Sequence, residues 1–124
     1  MVEFTKDVGF RGIDPVDYYK SILANKHSSD ILRFIDIDTA AKLSKIPEYA
    51  NIMLKHPYYN IRATYASITN DVCHQNILSA DDDWRVRAGL ATNKNLAIEA
   101  FEKLKCDSEK QVKIVIDARS APTD

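Results

Sequence analysis

The sequence predicts an all-α fold: a small α-solenoid of stacked short antiparallel helix pairs with a helical N-terminal cap. A short phrase occurs three times between residues 56 and 119, as Asn60-Ile61-Arg62-Ala63, Arg85-Val86-Arg87-Ala88 and Gln111-Val112-Lys113-Ile114. Its apolar anchors Ile61, Val86 and Val112 follow one another after 25 and 26 residues, a period typical of stacked helical repeats. The chain has only 3 glycines and 4 prolines, too few turn residues for a sheet of many short strands.

The length and composition fit one globular domain. The chain has 124 residues, of which 45% are hydrophobic and 28% are charged. We divide this single domain, residues 1–124, into a helical N-terminal cap over 1–55, two to three helical repeats over 56–119, and a tail over 120–124.

The charge and hydropathy argue against several classes of function, although they leave room for a local basic patch. The formal net charge is −1, which leaves no basic excess for a non-specific grip on nucleic acid or on an anionic membrane. No apolar run approaches the roughly 20 residues that span a bilayer. Residues 1–7 lack the basic start and apolar core of a signal peptide. We therefore expect a cytoplasmic protein in which Cys73 and Cys106 are free, buried or half-buried thiols.

The N-terminal half carries helix signals. Asp14-Pro15 predicts a helix start, because Asp is a good N-cap and Pro is favoured at the first helical position. Apolar spacing then predicts a short helix carrying Ile31, Leu32, Phe34 and Ile35. A third helix is expected to start at Asp38 or Thr39. Pro47 breaks or restarts it, and a further helical segment follows over 48–55.

Within the repeats, each unit reads as a short helix, an Asn-containing turn, a second helix and an acidic turn. The second helices are expected at 72–78 and, somewhat longer, at 96–104, and a final helix carries Val112, Val115 and Ile116. One such pair cannot bury its apolar stripe alone, so successive pairs must stack into a continuous core. Asp83 precedes Arg87 by four residues, and Glu109 precedes Lys113 by four. This spacing predicts i,i+4 ion pairs worth a few tenths of a kcal/mol.

Residues 82–93, read as Asp82-x-x-x-Val86-Arg87-x-x-Leu90-Ala91-x-Asn93, resemble the repeat phrase of HEAT-like helical repeat proteins. The closest subclass is the leucine-rich repeat variant, and the resemblance covers residues 56–119. It implies that the Val and Leu-Ala positions pack in the core, and that the Arg forms a ladder to acidic residues of the neighbouring repeat. The first copy departs from the phrase, since Tyr65-Ala66 stands for Leu-Ala. Some proteins with this variant carry an iron–sulfur cluster on a cysteine-rich segment, which this chain lacks.

No residue pattern points to catalysis, a cofactor or a metal. Cys73 and His74 are adjacent, so a helix would point them about 100° apart, and no C-x₂₋₄-C or H-x₃₋₅-H pair joins them with His27, His56 or Cys106. The run 81–83 reads as a helix-capping turn, because the glycine and closing glutamate of an EF-hand loop are absent. Phosphate-binding glycine loops and nucleophile elbows are also missing. We therefore expect a protein that is not an enzyme and that has no cofactor.

The candidate site is a strip at the loop-to-helix junctions. The position two residues before each anchor holds Tyr59, Trp84 and Lys110. Aromatic residues there can be hydrophobic staples on the first helical turn, or exposed anchors for a partner. The candidate partner-binding residues are Tyr58, Tyr59, Arg62, Trp84, Arg85 and Arg87. For Arg62 and Arg87 the alternative is a ladder of structural ion pairs.

Three functions compete on these observations. The first is a non-enzymatic protein-binding module, a stand-alone adaptor, inhibitor or immunity-type protein that acts on a protein partner. Such a protein would be a monomer or a weak homo-oligomer. A bacterial or phage origin fits a chain of this size. The second is nucleic-acid binding, because HEAT-like repeats also occur in larger, more basic DNA glycosylases. It would use a stripe of Arg62, Arg85, Arg87, Lys113 and Arg119. The third is a metalloprotein or an enzyme of unknown type.

Overall fold

The structure is a computed structural model that describes residues 14–23 and 35–122. Over these residues the fold is all-helical, as predicted. The helices are α1 Pro15–Leu23, α2 Ile37–Ser44, α3 Pro47–Leu54, α4 Tyr59–Ile68, α5 Val72–Leu78, α6 Trp84–Ala91, α7 Ile98–Lys105 and α8 Lys110–Asp117. The predicted helix carrying Ile31, Leu32 and Phe34 lies outside the described residues. No helix in the described ranges is long and apolar enough to span a bilayer.

Side-chain caps and prolines set where several helices begin. Pro15 and Pro47 are the first residues of α1 and α3, where a missing backbone N–H leaves no bond unmade. Asp71 accepts a hydrogen bond from the His74 backbone N–H at the start of α5. The start of α2 was predicted one to two residues too late. Asp36 is its N-cap, because the carboxylate accepts both the backbone N–H and the hydroxyl of Thr39, at 3.1 and 2.7 Å.

The start of α7 was predicted two residues too early. Leu96 and Ala97 precede the helix, which begins at Ile98. Ala97 is extended, with φ −69° and ψ 150°, and its backbone N–H donates to Oε1 of Gln75 at 2.7 Å. A contact with the preceding helix pair therefore delays α7, and apolar spacing along the chain carries no signal of it.

Alternate helices pack in succession. α2 packs on α4, α4 on α6, and α6 on α8, while α3, α5 and α7 pack beside them. We call α4–α5 the first unit and α6–α7 the second unit; α8 opens a third, and α2–α3 is the N-terminal pair. Helices of seven to ten residues are marginal in isolation, so packing between these pairs must supply most of their stability.

The core runs through all of these pairs. The three anchors Ile61, Val86 and Val112 are buried, as predicted. They join one cluster with buried residues from each pair, including Leu43, Met53, Tyr65, Leu78, Leu90, Leu104 and Ile116. Fully burying a side chain of this size contributes about 1.5–3 kcal/mol. In α5, however, Val72 and Ile77 are exposed, whereas the polar Gln75 is buried.

Candidate functional site

Two arginines tie successive units together. Arg62 of the first unit donates to both carboxylate oxygens of Asp81, at 2.9 and 3.1 Å. Arg87 of the second unit does the same with Asp107, at 2.7 and 3.3 Å. Each arginine also donates to a backbone carbonyl six residues before it, that of His56 for Arg62 and that of Asp81 for Arg87. The same set of arginine contacts therefore joins neighbouring units at two places, one period apart.

The prediction of an i,i+4 pair between Asp83 and Arg87 is wrong. Arg87 pairs with Asp107, 20 residues away, and Asp83 pairs with Arg85. The packed units bring the Asp107 carboxylate to the Arg87 guanidinium. The Asp107 side chain is only 6% exposed there and the Arg87 side chain 16%. Two charge-assisted hydrogen bonds shielded from water are stronger than a solvated i,i+4 ion pair on a helix.

The hydrogen bond from Arg62 to Asp81 raises the pKa of the Arg62 guanidinium, against a smaller opposing effect of burial. Asp81 accepts a third hydrogen bond, because its Oδ1 also accepts the backbone N–H of Asp83. Asp83 in turn accepts two hydrogen bonds from the Arg85 guanidinium, at 3.0 and 2.9 Å. Two carboxylates of the acidic run are therefore engaged with arginine, and only Asp82 is exposed to solvent without such a contact in the described structure.

The exposed part of the candidate strip is a stack of Arg85 on Tyr59. The Arg85 guanidinium carbon lies 3.5 Å from the centre of the Tyr59 ring, a cation–π contact between the first and second units. Tyr59 keeps 39% of its exposure. The Asp83 carboxylate accepts hydrogen bonds from Nε and Nη2 of the same guanidinium, and this contact with Arg85 lowers the pKa of Asp83 to about 2. We call these three side chains the Tyr59–Arg85–Asp83 surface.

Tyr58 and Trp84 lie deeper than Tyr59. Both are half-buried and pack against the hydrophobic core. The Tyr58 ring also lies against the His56 ring, with centroids 5.2 Å apart. This placement favours the staple interpretation for Trp84, because the indole covers the core at the first turn of α6. The six candidate residues therefore divide into an exposed pair, Tyr59 and Arg85, and four half-buried residues, Tyr58, Arg62, Trp84 and Arg87.

Comparison with known protein families, with curated proteins and with solved structures finds no match to this chain. A further contact between units recurs one period apart within the chain. Asn93 donates through Nδ2 to the carbonyls of Ala66 and Thr69, both at 2.8 Å. One period later, Arg119 donates through Nη1 to the carbonyls of Ala91 and Asn93, at 2.8 and 2.6 Å.

Sequence reasoning missed this buried polar network. Asn93 is buried, and its Oδ1 accepts the backbone N–H of Asn95 at 2.7 Å. Gln75 is also buried and donates to the carbonyls of Thr69 and Asn95. These side chains satisfy backbone groups at the turns, which would otherwise cost about 1–3 kcal/mol each when buried. The asparagine within the repeat phrase was the only signal of the network, and it reads equally well as an ordinary turn residue.

Sequence reasoning also missed a second polar cluster, in the first unit. The Tyr65 hydroxyl lies 2.6 Å from Nδ1 of His74 and accepts a hydrogen bond from the Thr69 hydroxyl at 3.1 Å. Burial raises the pKa of Tyr65, and the Thr69 hydrogen bond opposes that rise. The phenol therefore stays protonated at neutral pH. It lines a cleft of about 370 Å³ between the N-terminal pair and the first unit.

The cysteines are free, as predicted, but their predicted burial is wrong. Cys73 and Cys106 are both exposed. Cys73 lies on the outer face of α5, and Cys106 caps the end of α7. Among the described residues, no three His, Cys, Asp or Glu side chains converge as metal ligands would. His27, considered with them in the sequence, lies outside the described residues.

Proposed function

We propose that this chain is a non-enzymatic protein-binding module, built as a small α-solenoid of HEAT-like repeats and acting as an adaptor, inhibitor or immunity-type protein on a protein partner. The recurrence of contacts supports the repeat architecture. Arg62–Asp81 and Arg87–Asp107 have the same geometry one period apart, and α4, α6 and α8 pack in one row. Stacked repeats present extended surfaces, and most proteins that use them bind other macromolecules.

The Tyr59–Arg85–Asp83 surface carries the proposal. Tyrosine and arginine are among the residues that contribute most to protein–protein binding energy. Here both are exposed yet held in place, because the Arg85 guanidinium stacks on the Tyr59 ring and donates two hydrogen bonds to the Asp83 carboxylate. A side chain that is already ordered loses less conformational entropy when a partner binds. The Arg85 Nη1 group makes no hydrogen bond within the described structure, so it is available to an acceptor on a partner.

The pairing of the arginines disfavours nucleic acid as the partner. Of the five basic residues in the proposed stripe, Arg62, Arg85 and Arg87 are each joined to an aspartate. Arg119 is directed at backbone carbonyls. Phosphate binding depends on cations that can replace condensed counterions, and paired arginines have already lost that capacity in part.

The test is a binding comparison between variants. A partner captured by the full chain from lysate of its source organism is identified and its affinity is then measured for the wild type, Tyr59→Ala and Glu102→Ala. We expect Tyr59→Ala to weaken binding by more than about 1 kcal/mol. The exposed Glu102 on α7 is the matched control and should bind as the wild type does.

Two outcomes would contradict the proposal. One is equal affinity for all three proteins. The other is retention on heparin or duplex DNA at about 50 mM salt that Arg85→Ala abolishes, which would favour the nucleic-acid interpretation. Trp84→Ala separates packing from binding. Because Trp84 packs on the core, we expect this variant to lose about 2 kcal/mol of stability, whereas Tyr59→Ala should lose no more than about 1 kcal/mol, the contribution of its exposed contact with Arg85.

A further inference from the structure

The first unit carries polar residues at positions where the second unit is apolar. Tyr65 precedes Leu90 by 25 residues, and His74 precedes Ala100 by 26, and these pairs occupy matching places in α4 and α6 and in α5 and α7. Leu90 and Ala100 are fully buried. The fold therefore accommodates apolar side chains at both places. Polar groups at a core position that packing does not require are typical of functional sites.

The hydrogen bonds of this cluster run in one direction. The Asp71 backbone N–H donates to the Thr69 hydroxyl oxygen at 3.1 Å, and that hydroxyl donates to the Tyr65 oxygen at 3.1 Å. The Tyr65 proton is therefore directed to Nδ1 of His74, 2.6 Å away. A neutral imidazole that accepts at Nδ1 carries its proton on Nε2. The chain of donors thus assigns the tautomer of His74 and makes Nε2 a donor.

The Nε2 donor faces a carboxylate across a gap. Nε2 of His74 lies 3.9 Å from Oδ2 of Asp71, which is too long for a hydrogen bond. A hydroxyl oxygen about 2.8 Å from each atom fits between them, with an angle of about 90° at that oxygen. It would accept from Nε2 and donate to Oδ2. A hydroxyl group can do both, whereas a carboxylate cannot donate and an ammonium group cannot accept.

The surrounding cleft suits a molecule with several hydroxyl groups. It has a volume of about 370 Å³, within the range of small-molecule sites. Pro47, Ala50 and Ile68 provide an apolar wall, and Asn51 and Asn70 provide amide groups. We propose that this cleft binds a small polyol or sugar, with one of its hydroxyl groups bridging His74 and Asp71. The site is separate from the Tyr59–Arg85–Asp83 surface and does not depend on the proposed function.

The experiment is a titration of the full, isotopically labelled chain with myo-inositol, D-glucose and sorbitol, followed by backbone amide chemical shifts. We expect saturable shifts for at least one of the three, centred on His74, Asp71 and Asn51. Asp71→Asn should weaken that binding by about tenfold, because the acceptor of the hydroxyl proton is then no longer a charged group. Tyr65→Phe should weaken it as well, since His74 then loses the partner that fixes its tautomer.

Controls keep each outcome decisive. Thr92→Ala lies outside the cleft and should bind as the wild type does, and acetate and ammonium should give no saturable shift. If Asp71→Asn does not fold, judged by circular dichroism, Tyr65→Phe carries the test. The proposal is overturned if all three polyols give only linear shifts, equal in the wild type and in the variant. Water alone would then occupy the gap.

Discussion

The Arg87 guanidinium in the second unit and the Asp107 carboxylate that precedes α8 form a forked ion pair, with nitrogen–oxygen distances of 2.7 and 3.3 Å. The pair is largely shielded from solvent, and Asp107 also accepts the backbone N–H of Glu109 at 2.8 Å. One carboxylate therefore both shapes the turn before α8 and joins that turn to α6. The Arg62–Asp81 pair does the same between the first and second units.

Removing one member of this pair should destabilise the fold. Asp107→Ala leaves the Arg87 guanidinium half-buried without its counter-ion, for which we expect a loss of about 2–3 kcal/mol in the free energy of unfolding. Asp82→Ala is the control, because Asp82 is exposed, and should change that free energy by less than about 0.5 kcal/mol. Urea denaturation of both variants measures the difference.

A double-mutant cycle with Arg87→Ala and Asp107→Ala then isolates the pair itself. Residues joined in one ion pair show coupling energies of about 0.5–3 kcal/mol, whereas independent residues add. Strictly additive effects of the two substitutions would show that the pair contributes nothing beyond the separate packing of each side chain.

Gly89 sets the distance between α4 and α6. A Cβ added there would lie 2.8 Å from the backbone oxygen of Ala63 and 3.3 Å from its Cα. In an open helix, replacing glycine by alanine stabilises by about 1 kcal/mol. Here the clash involves backbone, so we expect Gly89→Ala to lower the free energy of unfolding by about 1–3 kcal/mol, as overpacking does.

Thermal and urea unfolding of Gly89→Ala test this expectation. Ala63→Gly in the same chain should not rescue the variant, because the nearest atom is a carbonyl oxygen that glycine retains. If Gly89→Ala instead raised the free energy of unfolding, α4 and α6 could move apart with little loss of stability. That result would contradict a tight contact between these two helices.

The all-helical fold and its main core positions followed from local signals. Pro15 and Pro47 mark helix starts, and the three anchors lie in the core because a fixed period places them on the same face of successive helices. The proline signals lie within one turn of helix, and the anchor signal is a repeat of 25 to 26 residues along the chain. Sequence reasoning could therefore recover the helices, their rough bounds and the buried anchors.

The sequence did not show which of two candidate side chains makes a given contact in the fold. Asp83 stands at the right spacing for Arg87, yet the packed units place Asp107 closer. In α5, Ile77 is 57% exposed while Gln75 is buried, because the Gln75 amide group bonds three backbone groups at the turns. The Tyr65–His74 cluster likewise exists only after α4 and α5 have packed. Each of these depends on tertiary distance, which no periodicity encodes.

Acid should reduce the contribution of the Asp83–Arg85 ion pair to the stability of the fold. The hydrogen bond from Arg85 lowers the pKa of Asp83 from 3.8 to about 2, against a smaller opposing effect of burial. A carboxyl group with a depressed pKa in the folded state stabilises the protein above the pKa of the unfolded state. That contribution is lost as the pH falls from about 4 through 2. Because Arg85 is exposed, solvent and salt screen the pair, so we expect the contribution to be smaller than the pKa shift alone would give.

Urea unfolding of the wild type and Asp83→Asn at pH 5 and at pH 2 measures this contribution. The wild type should lose more stability than the variant over that interval, and about 1 M salt should shrink the difference by screening the charges. Asp82→Asn should follow the wild type, since it keeps both Asp83 and Arg85. Identical pH dependence in Asp83→Asn and the wild type would contradict the depressed pKa. Arg85 would then be held over Tyr59 by stacking alone.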